Sequence, residues 1–294
     1  MIEQSVASAL RTEVAESAPP PELGSASSRA SHGARSKLLR SFVIGGLSLS
    51  IWLGFWQLAS TYDWTFFFRF DNIPAPTEVA AAVTDLITSP KFGSHVGNSL
   101  RRILLGYSIA AVLAVGAGLL IGRFRLAAQA LVPPLEVLRP IPAVAWIPIA
   151  ILLFASAEHS MIFITFIGAF FPILLNTIHG VETLDRRLVS ASISLGAGPF
   201  DVFREVILPG AAPSIVTGLS IGMGTSWFSL VTAEMISGQY GIGYYTWEAY
   251  TLQNYPNIVL GMIAIGLLGM GSSFIVKWSG RKLMPWFEPA ASAT

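Results

Sequence analysis

Residues 181–213, VETLDRRLVSASISLGAGPFDVFREVILPGAAP, form a polar interruption between two long apolar stretches. Helices in bundles are usually joined by roughly 2–8 residues, so this length predicts a loop that meets a partner in water. The pattern predicts one helix over 185–195 and a second, short helix over 200–206. A Gly- and Pro-containing break over 196–199 separates them, and Leu208-Pro209 is predicted to stop the second. The charged side chains of the loop are Glu182, Asp185, Arg186, Arg187, Asp201, Arg204 and Glu205.

The composition of the whole chain is that of a membrane protein. Hydrophobic residues make up 53% and charged residues 12% of the sequence, whereas soluble proteins carry about 25% charged residues. The mean hydropathy is +0.62. A formal net charge of +1 excludes nucleic-acid binding through a basic surface. The absence of cysteine excludes disulfides and thiol catalysis, and the four histidines lack the spacing of a metal site, so no metal is expected.

The two ends of the chain differ from its middle. Residues 1–36 are rich in Ala, Ser, Pro and Glu and predict a disordered tail. Glutamates occupy the positions where a signal peptide needs basic and then apolar residues, so we expect the tail to be retained in the cytoplasm. Residues 37–285 form the predicted membrane domain, with its core over about 95–285, and residues 286–294 form a C-terminal tail.

Six stretches are apolar and, at roughly 20 residues, long enough to cross a bilayer as helices. They cover residues 40–60, 100–122, 139–156, 159–179, 213–236 and 257–278. The third contains Pro140, Pro142 and Pro148, each of which removes a backbone donor and bends or breaks a helix. Neighbouring helices can satisfy the freed carbonyls, so the third span is expected near the centre of the bundle. Gly118-x-x-x-Gly122 and Gly218-x-x-x-Gly222 are typical of close helix packing.

The lysines and arginines beside the spans predict their orientation, because basic residues accumulate on the cytoplasmic side. With six alternating spans, most of these residues fall on one side of the membrane. They are Arg35, Lys37, Arg40, Arg123, Arg125, Arg186, Arg187, Arg204, Lys277, Arg281 and Lys282. Both termini and the 181–213 loop are therefore predicted in the cytoplasm. Arg101 and Arg102 are placed at the outer mouth of a helix.

Three features are predicted on the outer side. The aromatic run YDWTFFFRF over 62–70 is typical of a membrane interface. Residues 77–87 predict a short amphipathic helix that Thr77 caps and that lies flat on the outer surface. GQYGIGYY over 238–245 follows a membrane span rather than a strand, so it predicts an outer turn and not a nucleotide-binding loop.

Few polar side chains lie inside the apolar stretches, and these are the candidates for a solute pathway. The candidates are Arg139, Asn176, Thr225, Trp227, Ser229 and Glu234, with Ser226 and Thr232 in the same part of span five. Hydrogen bonding between packed helices requires the same kind of polar stripe, so both interpretations stay open. No carboxylate pair, Ser-His-Asp set or phosphate-binding loop is present, which indicates a conduit rather than an enzyme.

The loop also matches a known pattern. SASISLGAGPFDVFREVILPGAAP resembles the cytoplasmic EAA loop of bacterial ABC-importer permeases, whose pattern runs from Glu-Ala-Ala through a fixed Gly to Ile-x-Leu-Pro. Gly196 and Leu208-Pro209 match in register, whereas Ser190 and Ser192 replace the leading Glu and the second Ala. Three further segments resemble the nitrate/sulfonate/taurine/bicarbonate branch of these permeases. They are LRPIPAVAWIPIAILLF over 138–154, FFPILLNTIHGVETLD over 170–185 and TAEMISGQYGIGYYTWEAY over 232–250.

The resemblance implies an all-α integral membrane protein with the type I ABC-importer permease fold, six transmembrane helices and a cytoplasmic coupling helix. The residues it implies for contact with the ATP-hydrolysing subunit are Ser190, Ala191, Gly196, Pro199, Phe200, Asp201, Phe203, Arg204, Glu205, Leu208 and Pro209. Phe200, Val202, Phe203 and Val206 are predicted to form the apolar face of the coupling helix.

The implied partners are two ATP-binding subunits that carry ATP and magnesium, a second permease copy or close paralogue, and an extracytoplasmic substrate-binding protein. The implied role is the import of a small anion (nitrate, a sulfonate, taurine or bicarbonate) across the bacterial inner membrane, with no cofactor in this chain and no enzymatic activity of its own.

Two other functions are compatible with the residues alone. A secondary transporter driven by an ion gradient predicts paired acids inside the membrane and discontinuous helices in repeated halves. The spans hold one such acid, Glu234, and no evident repeat. A membrane scaffold protein needs neither Glu234 nor a long cytoplasmic loop.

Overall fold

A computed structural model describes residues 26–62 and 72–286, and the regular elements in these ranges are all helical. The helices are α1 (Ala26–Thr61), α2 (Pro76–Thr88), α3 (Pro90–Arg123), α4 (Arg125–Leu138), α5 (Ile147–Leu153), α6 (Ala157–Glu182), α7 (Arg186–Ser194), α8 (Pro199–Val202), α9 (Leu208–Ser237), α10 (Ile242–Thr251) and α11 (Tyr255–Leu283). A 3₁₀ turn, Ala143–Trp146, precedes α5, and a π-helical turn, Phe203–Ile207, joins α8 to α9.

The chain divides into two compact units, Met1–Tyr62 and Asp63–Thr294. In the first unit, α1 begins at Ala26, inside the stretch predicted as a tail. Residues 1–25, nearly all of the aromatic run and most of the C-terminal tail lie outside the described residues, so the predictions for them stay predictions.

Within the described residues, five helical stretches are long and apolar enough to cross a membrane. They are Val43–Thr61, Pro90–Arg123, Ala157–Glu182, Pro199–Ser237 and Tyr255–Leu283. These stretches contain, with longer ends, nearly all of the predicted first, second, fourth, fifth and sixth spans.

The third predicted span, 139–156, is not one continuous helix, as its prolines predicted. A helical pair, Arg125–Leu138 and Ala143–Leu153, bends by 86° at a short break that contains Pro140 and Pro142. Neither proline can donate a backbone hydrogen bond, so the helical hydrogen bonding is interrupted there. Counted as one broken span, the pair raises the number of candidate spans to six.

The broken span also lies beside the helical core of the second unit rather than at its centre. No residue of α4 is buried, and α5 buries only Ile147 and Ala150. Most of the core is made by α3, α6 and α9, with α6 packed against both of the others, and Ile147 and Ala150 of α5 also belong to it.

Both predicted glycine patterns lie where α6 approaches its neighbours. A Cβ atom at Gly118 of α3 would lie 2.6 Å from the Cβ of Thr177, and one at Gly222 of α9 would lie 2.7 Å from Cγ1 of Ile173. Real Cβ atoms do not approach side chains this closely, so the helix axes can be this near only because these positions lack side chains. The interpretation of the glycines as packing residues is confirmed.

The short helix α2, which was predicted on the outer side, differs from its prediction in two respects. Its first residue is Pro76, and the carboxylate of Glu78, rather than Thr77, accepts a hydrogen bond from the N–H of Ala75 at 3.2 Å. Val79 is 5% exposed because α2 packs against α11 and α3. The apolar face of α2 is therefore at least partly covered by protein.

Candidate coupling loop and translocation cavity

The first part of the polar loop folds as the sequence predicts. The carboxylate of Asp185 accepts a hydrogen bond from Arg187 N at 2.9 Å, which caps the start of α7. The helix ends in a turn at Gly196, where φ is +90°, a conformation that L-residues with side chains rarely adopt. The break at 196–199 is therefore confirmed. Glycine is favoured at position 196 because it can adopt this positive φ without strain.

The second part of the loop differs from the prediction of a separate helix with a stop at Leu208-Pro209. Helix α8 continues through the π-helical turn into α9, so Pro199–Ser237 is one run of 39 residues. Leu208 N–H bonds to Phe203 O, five residues earlier. The wider turn places Pro209 in the first turn of α9, where a missing N–H is tolerated. The proline therefore marks a change of helix type instead of an end.

Exposure divides the loop into an inner and an outer surface. Val202 and Ile207 are each 2% exposed and pack with Val181 and Ala211, so Val202 does not belong to an outer face with Phe200 as predicted. Large apolar side chains nevertheless remain exposed. This exposed set, called the loop patch below, is Leu188, Ile193, Leu195 and Phe200, at 56%, 58%, 88% and 68%. Several large exposed apolar side chains on one loop favour a contact site for another protein.

The other predicted coupling residues lie around the loop patch. Ser190, Ala191, Pro199, Asp201, Arg204 and Glu205 are exposed, whereas Phe203 is half-buried. The carboxylate of Asp201 accepts a hydrogen bond from Gly198 N at 3.1 Å, which helps to hold the start of α8.

A cavity of about 220 Å³ lies between the broken span and helices α6 and α9. Three predicted pathway residues, Arg139, Thr225 and Ser229, line it. The bend after α4 places Arg139 there, and Phe228 of α9 lines the cavity while remaining 68% exposed. Among the described residues that line this cavity, Arg139 is the only charged one.

Thr225 forms a hydrogen bond to a carbonyl of the facing helix whose usual partner within that helix is missing. Pro172 lies inside α6 and lacks the N–H that would otherwise bond to the carbonyl of Gly168. The hydroxyl of Thr225 donates to this carbonyl at 2.7 Å. A hydrogen bond between helices therefore replaces the one that proline removes within the helix.

Asn176 and Trp227 lie away from the cavity. The amide of Asn176 donates to Pro172 O at 2.8 Å, and its Cβ faces Gly218 where α6 meets α9. Trp227 is 3% exposed and donates from Nε1 to the hydroxyl of Ser272 on α11 at 2.8 Å. The predicted polar stripe is thus divided between the cavity and helix packing.

Glu234, the sixth candidate, is fully buried in a cluster of polar side chains at the end of α9 opposite the loop. Its carboxylate accepts hydrogen bonds from Ser99 Oγ at 2.7 Å, Arg102 Nη1 at 2.9 Å and Gly243 N at 2.9 Å. Arg102 also pairs with Glu158 at 2.7 Å. We call Ser99, Arg102, Glu158 and Glu234 the outer cluster, after the side of the membrane on which the sequence predicts it.

The outer cluster also holds the turn that follows α9. Arg102 Nη1 donates to Tyr240 O, and Ile242 N donates to Ser99 Oγ at 2.9 Å. A side chain at Gly241 would overlap the carboxyl group of Glu234. A turn over 238–241 is therefore confirmed, after which the chain enters α10. Its position on the outer side stays a prediction.

The sequence prediction missed Ser99, Arg102 and Glu158. Helix α3 begins at Pro90, so Arg102 is buried within a helix rather than placed at its mouth. Two signals were available. His95, Ser99 and Arg102 recur at the spacing of one helix face, and a buried acid such as Glu234 needs a cation or several donors.

Residues 110–288 match the family described as binding-protein-dependent transport system inner membrane component. The chain belongs to this family. The matched range begins inside α3 and includes the loop patch, the cavity and Glu234.

Several related proteins are also named as permease proteins of transport systems. The chain is 33% identical to the nitrate import permease protein NrtB of Leptolyngbya laminosa, over 85% of this chain and 90% of that protein. It is 36% identical to the bicarbonate transport system permease protein CmpB of Synechococcus elongatus, over 63% and 67%. It is 39% identical to the putative ABC transporter permease protein MJ0413 of Methanocaldococcus jannaschii, over 66% and 74%. The protein is thus an ABC-transporter permease subunit, as the loop pattern implied, rather than a secondary transporter or scaffold.

Replacing Glu234 by Gln should destabilise the fold strongly. The change removes one of the two carboxylates paired with Arg102 and places an amide among the donors that Glu234 accepts, and a buried polar group left unsatisfied costs about 1–3 kcal/mol. We expect a clear fall in the melting temperature of the detergent-purified protein. Glu136→Gln, on exposed α4, removes the same charge and should leave the melting temperature unchanged. Equal melting temperatures for Glu234→Gln and the wild type would show that the pair contributes nothing to stability.

Proposed function

We propose that this permease forms part of the translocation pathway of an ATP-driven importer for a small anion, of the nitrate, sulfonate, taurine or bicarbonate class. The observation that carries the proposal is the position of Arg139 as the one charged side chain among the described residues lining the α6–α9 cavity. A guanidinium beside hydroxyls suits an oxyanion, because it offers several donors and a permanent positive charge. The names of NrtB and CmpB support the same substrate class.

The cavity is of a size that suits such an anion. Its volume is about 220 Å³, and one water takes up about 30 Å³ in the liquid. An anion of four or five heavy atoms therefore fits with some of its hydration shell. The apolar side chains of Phe171 and Phe228 line the same cavity, so the anion would meet few competing charges there.

For the coupling step, we propose that the loop patch docks on a cytoplasmic ATPase subunit that binds ATP and magnesium. Its support is the exposure of Leu195 and Phe200 beside exposed charges, which suits a groove on a partner protein. The proposed assembly contains two permease chains, two ATPase subunits and an extracytoplasmic binding protein. Two-fold pairing is the commonest closed symmetry for such assemblies.

Helices α8 and α9 are continuous, so a movement of the loop patch can be transmitted to the cavity. Phe200 and Thr225 lie on the same run of 39 residues, Pro199–Ser237. At 1.5 Å per residue they are about 38 Å apart along the helix. A movement of the ATPase that displaces α8 would therefore displace the cavity wall as part of one rigid element.

The proposed location is the bacterial inner membrane, with several spans and both termini in the cytoplasm. The distribution of basic residues supports this orientation, because Arg123, Arg186, Arg204 and Arg281 all lie at the same ends of their alternating spans. In the proposed orientation, the loop patch lies in the cytoplasm and the outer cluster lies towards the opposite surface.

Replacing Arg139 by Gln should weaken anion transport without unfolding the protein. A hydrogen bond to a charged group contributes about 1.5–3 kcal/mol, so the KM for uptake should rise at least about tenfold. The measurement is ATP-dependent uptake of nitrate, bicarbonate, taurine and methanesulfonate into proteoliposomes that contain the assembled transporter. Arg139→Lys should retain part of the activity, and Glu136→Gln should retain all of it. An unchanged KM in Arg139→Gln would contradict the role of the cavity, and no ATP-dependent uptake of any of the four would contradict the substrate class.

Replacing Phe200 by Asp should release the ATPase subunits. A charge in the centre of an apolar contact should reduce their co-purification with the permease at least about tenfold, the size of effect expected at an interface hot spot. Phe200→Leu should keep most of the binding. Leu252→Asp makes a similar change at a residue that is 73% exposed in the turn between α10 and α11, and it should bind the ATPase normally. Normal co-purification of Phe200→Asp would remove the loop patch from the interface.

A further inference from the structure

A cleft of about 410 Å³ separates the ends of α9 and α11 that lie on the same side as the loop patch. Ser273, Lys277 and Arg281 of α11 line it. They recur at every fourth position and so lie on one face of the helix, within about 12 Å of its length. No acidic side chain is among the described residues that line the cleft.

These three side chains have hydrogen-bond donors that no described residue accepts. Within the described residues, neither Lys277 nor Arg281 lies in an ion pair, and the hydroxyl of Ser273 makes no hydrogen bond. The hydroxyl of Thr217, on the opposite wall, already donates to Pro213 O at 2.9 Å. Its oxygen can still accept a hydrogen bond. The cleft is therefore lined by two basic side chains and a hydroxyl donor, and no carboxylate among its described lining residues neutralises them.

The cleft lies where α11 leaves the apolar part of the membrane. Tyr255–Leu283 qualifies as a membrane span by its hydropathy, and its basic residues fall in the last turns. Trp278 and Trp286 are 50% and 58% exposed beside them, and exposed tryptophans are enriched at the level of lipid headgroups. The surroundings therefore indicate a ligand at headgroup depth.

The walls of the cleft suit a molecule with an apolar part. Val216, Ile221 and Met284 contribute apolar surface next to the two cations. Val216 also packs on Gly280, where an added side chain would overlap it, so α9 and α11 touch closely beside the cleft. A lipid combines an anionic phosphate with apolar chains, and basic clefts between membrane helices on the cytoplasmic side are suited to such headgroups.

We propose that this cleft is a binding site for the phosphate group of an anionic membrane lipid. The phosphate lies between Lys277 and Arg281, and Ser273, one turn deeper, donates to an ester oxygen. The first methylene groups of the acyl chains lie against the apolar wall at Val216 and Ile221. The site is independent of the proposed transport function, because neither the cavity at Arg139 nor the loop patch contributes to it.

The test measures lipid binding to the purified full chain by native mass spectrometry, with phosphatidylglycerol and phosphatidylcholine as probes. We expect phosphatidylglycerol to bind preferentially. Lys277→Gln and Arg281→Gln should each weaken its binding about fivefold, since one basic residue near an anionic headgroup contributes about 1 kcal/mol. Lys277→Arg should restore the affinity.

Lys282→Gln is the matched control. Lys282 Nζ lies 4.0 Å from the ring centre of Trp278 and is not among the residues that line the cleft, so its loss should leave binding unchanged. An equal loss of affinity in Lys282→Gln would show that lipid binding depends on general surface charge, and it would contradict a specific site in the cleft. Equal binding of the two lipids would overturn it as well.

A soluble anion is distinguished by a second arm. Inorganic phosphate is titrated against the delipidated protein, with the melting temperature as the readout. A negligible shift at millimolar phosphate is expected if the site needs the lipid. A shift that disappears in both Lys277→Gln and Arg281→Gln would assign the cleft to a free oxyanion and contradict the lipid proposal.

Discussion

A carboxylate without exposure to solvent is stable only where cations and hydrogen-bond donors surround it. Glu234 meets this condition through Arg102 and Ser99 of α3 and through the backbone of Gly243. Because Arg102 also pairs with Glu158 at the start of α6, one buried group ties together the three helices of the core and the turn after α9. The end of α9 at Glu234 is thereby held in place, and the parts of this helix that carry the functional proposals lie farther along it.

Helix α9 connects the features that carry the functional proposals. Glu234 is held at one end of the helix, Thr225 in its middle lines the cavity, and the other end continues through a π-helical turn into α8 with Phe200. Pro172 explains why the cavity wall has a polar side chain at this point, since Thr225 satisfies the carbonyl that the proline leaves free. A helix that is fixed at one end and has exposed apolar side chains at the other is suited to a tilting movement.

Local patterns in the sequence predicted much of this arrangement, because they depend on neighbouring residues. Asp185 and Gly196 were placed correctly since capping and a positive φ are local requirements. Features that depend on distant partners were missed. Arg102 looked like a flanking charge because its partners, Glu158 and Glu234, are far away in the chain, and Pro209 looked like a stop because a π-helical turn leaves no clear pattern in the sequence. Likewise, the prolines of the third span predicted the bend but not its place at the side of the core.

The central claim is that α8 and α9 move as one element and so connect the loop patch to the cavity. The chain contains no cysteine, so Phe228→Cys would place a single thiol at the cavity wall. The decisive measurement is the alkylation rate of this thiol in the transporter assembled with its ATPase subunits, with and without a non-hydrolysable ATP analogue. Leu252→Cys, in an exposed turn, serves as the reference. The account predicts that the analogue changes the rate at Phe228→Cys severalfold and leaves the reference unchanged. Equal rates at Phe228→Cys in both states would contradict it.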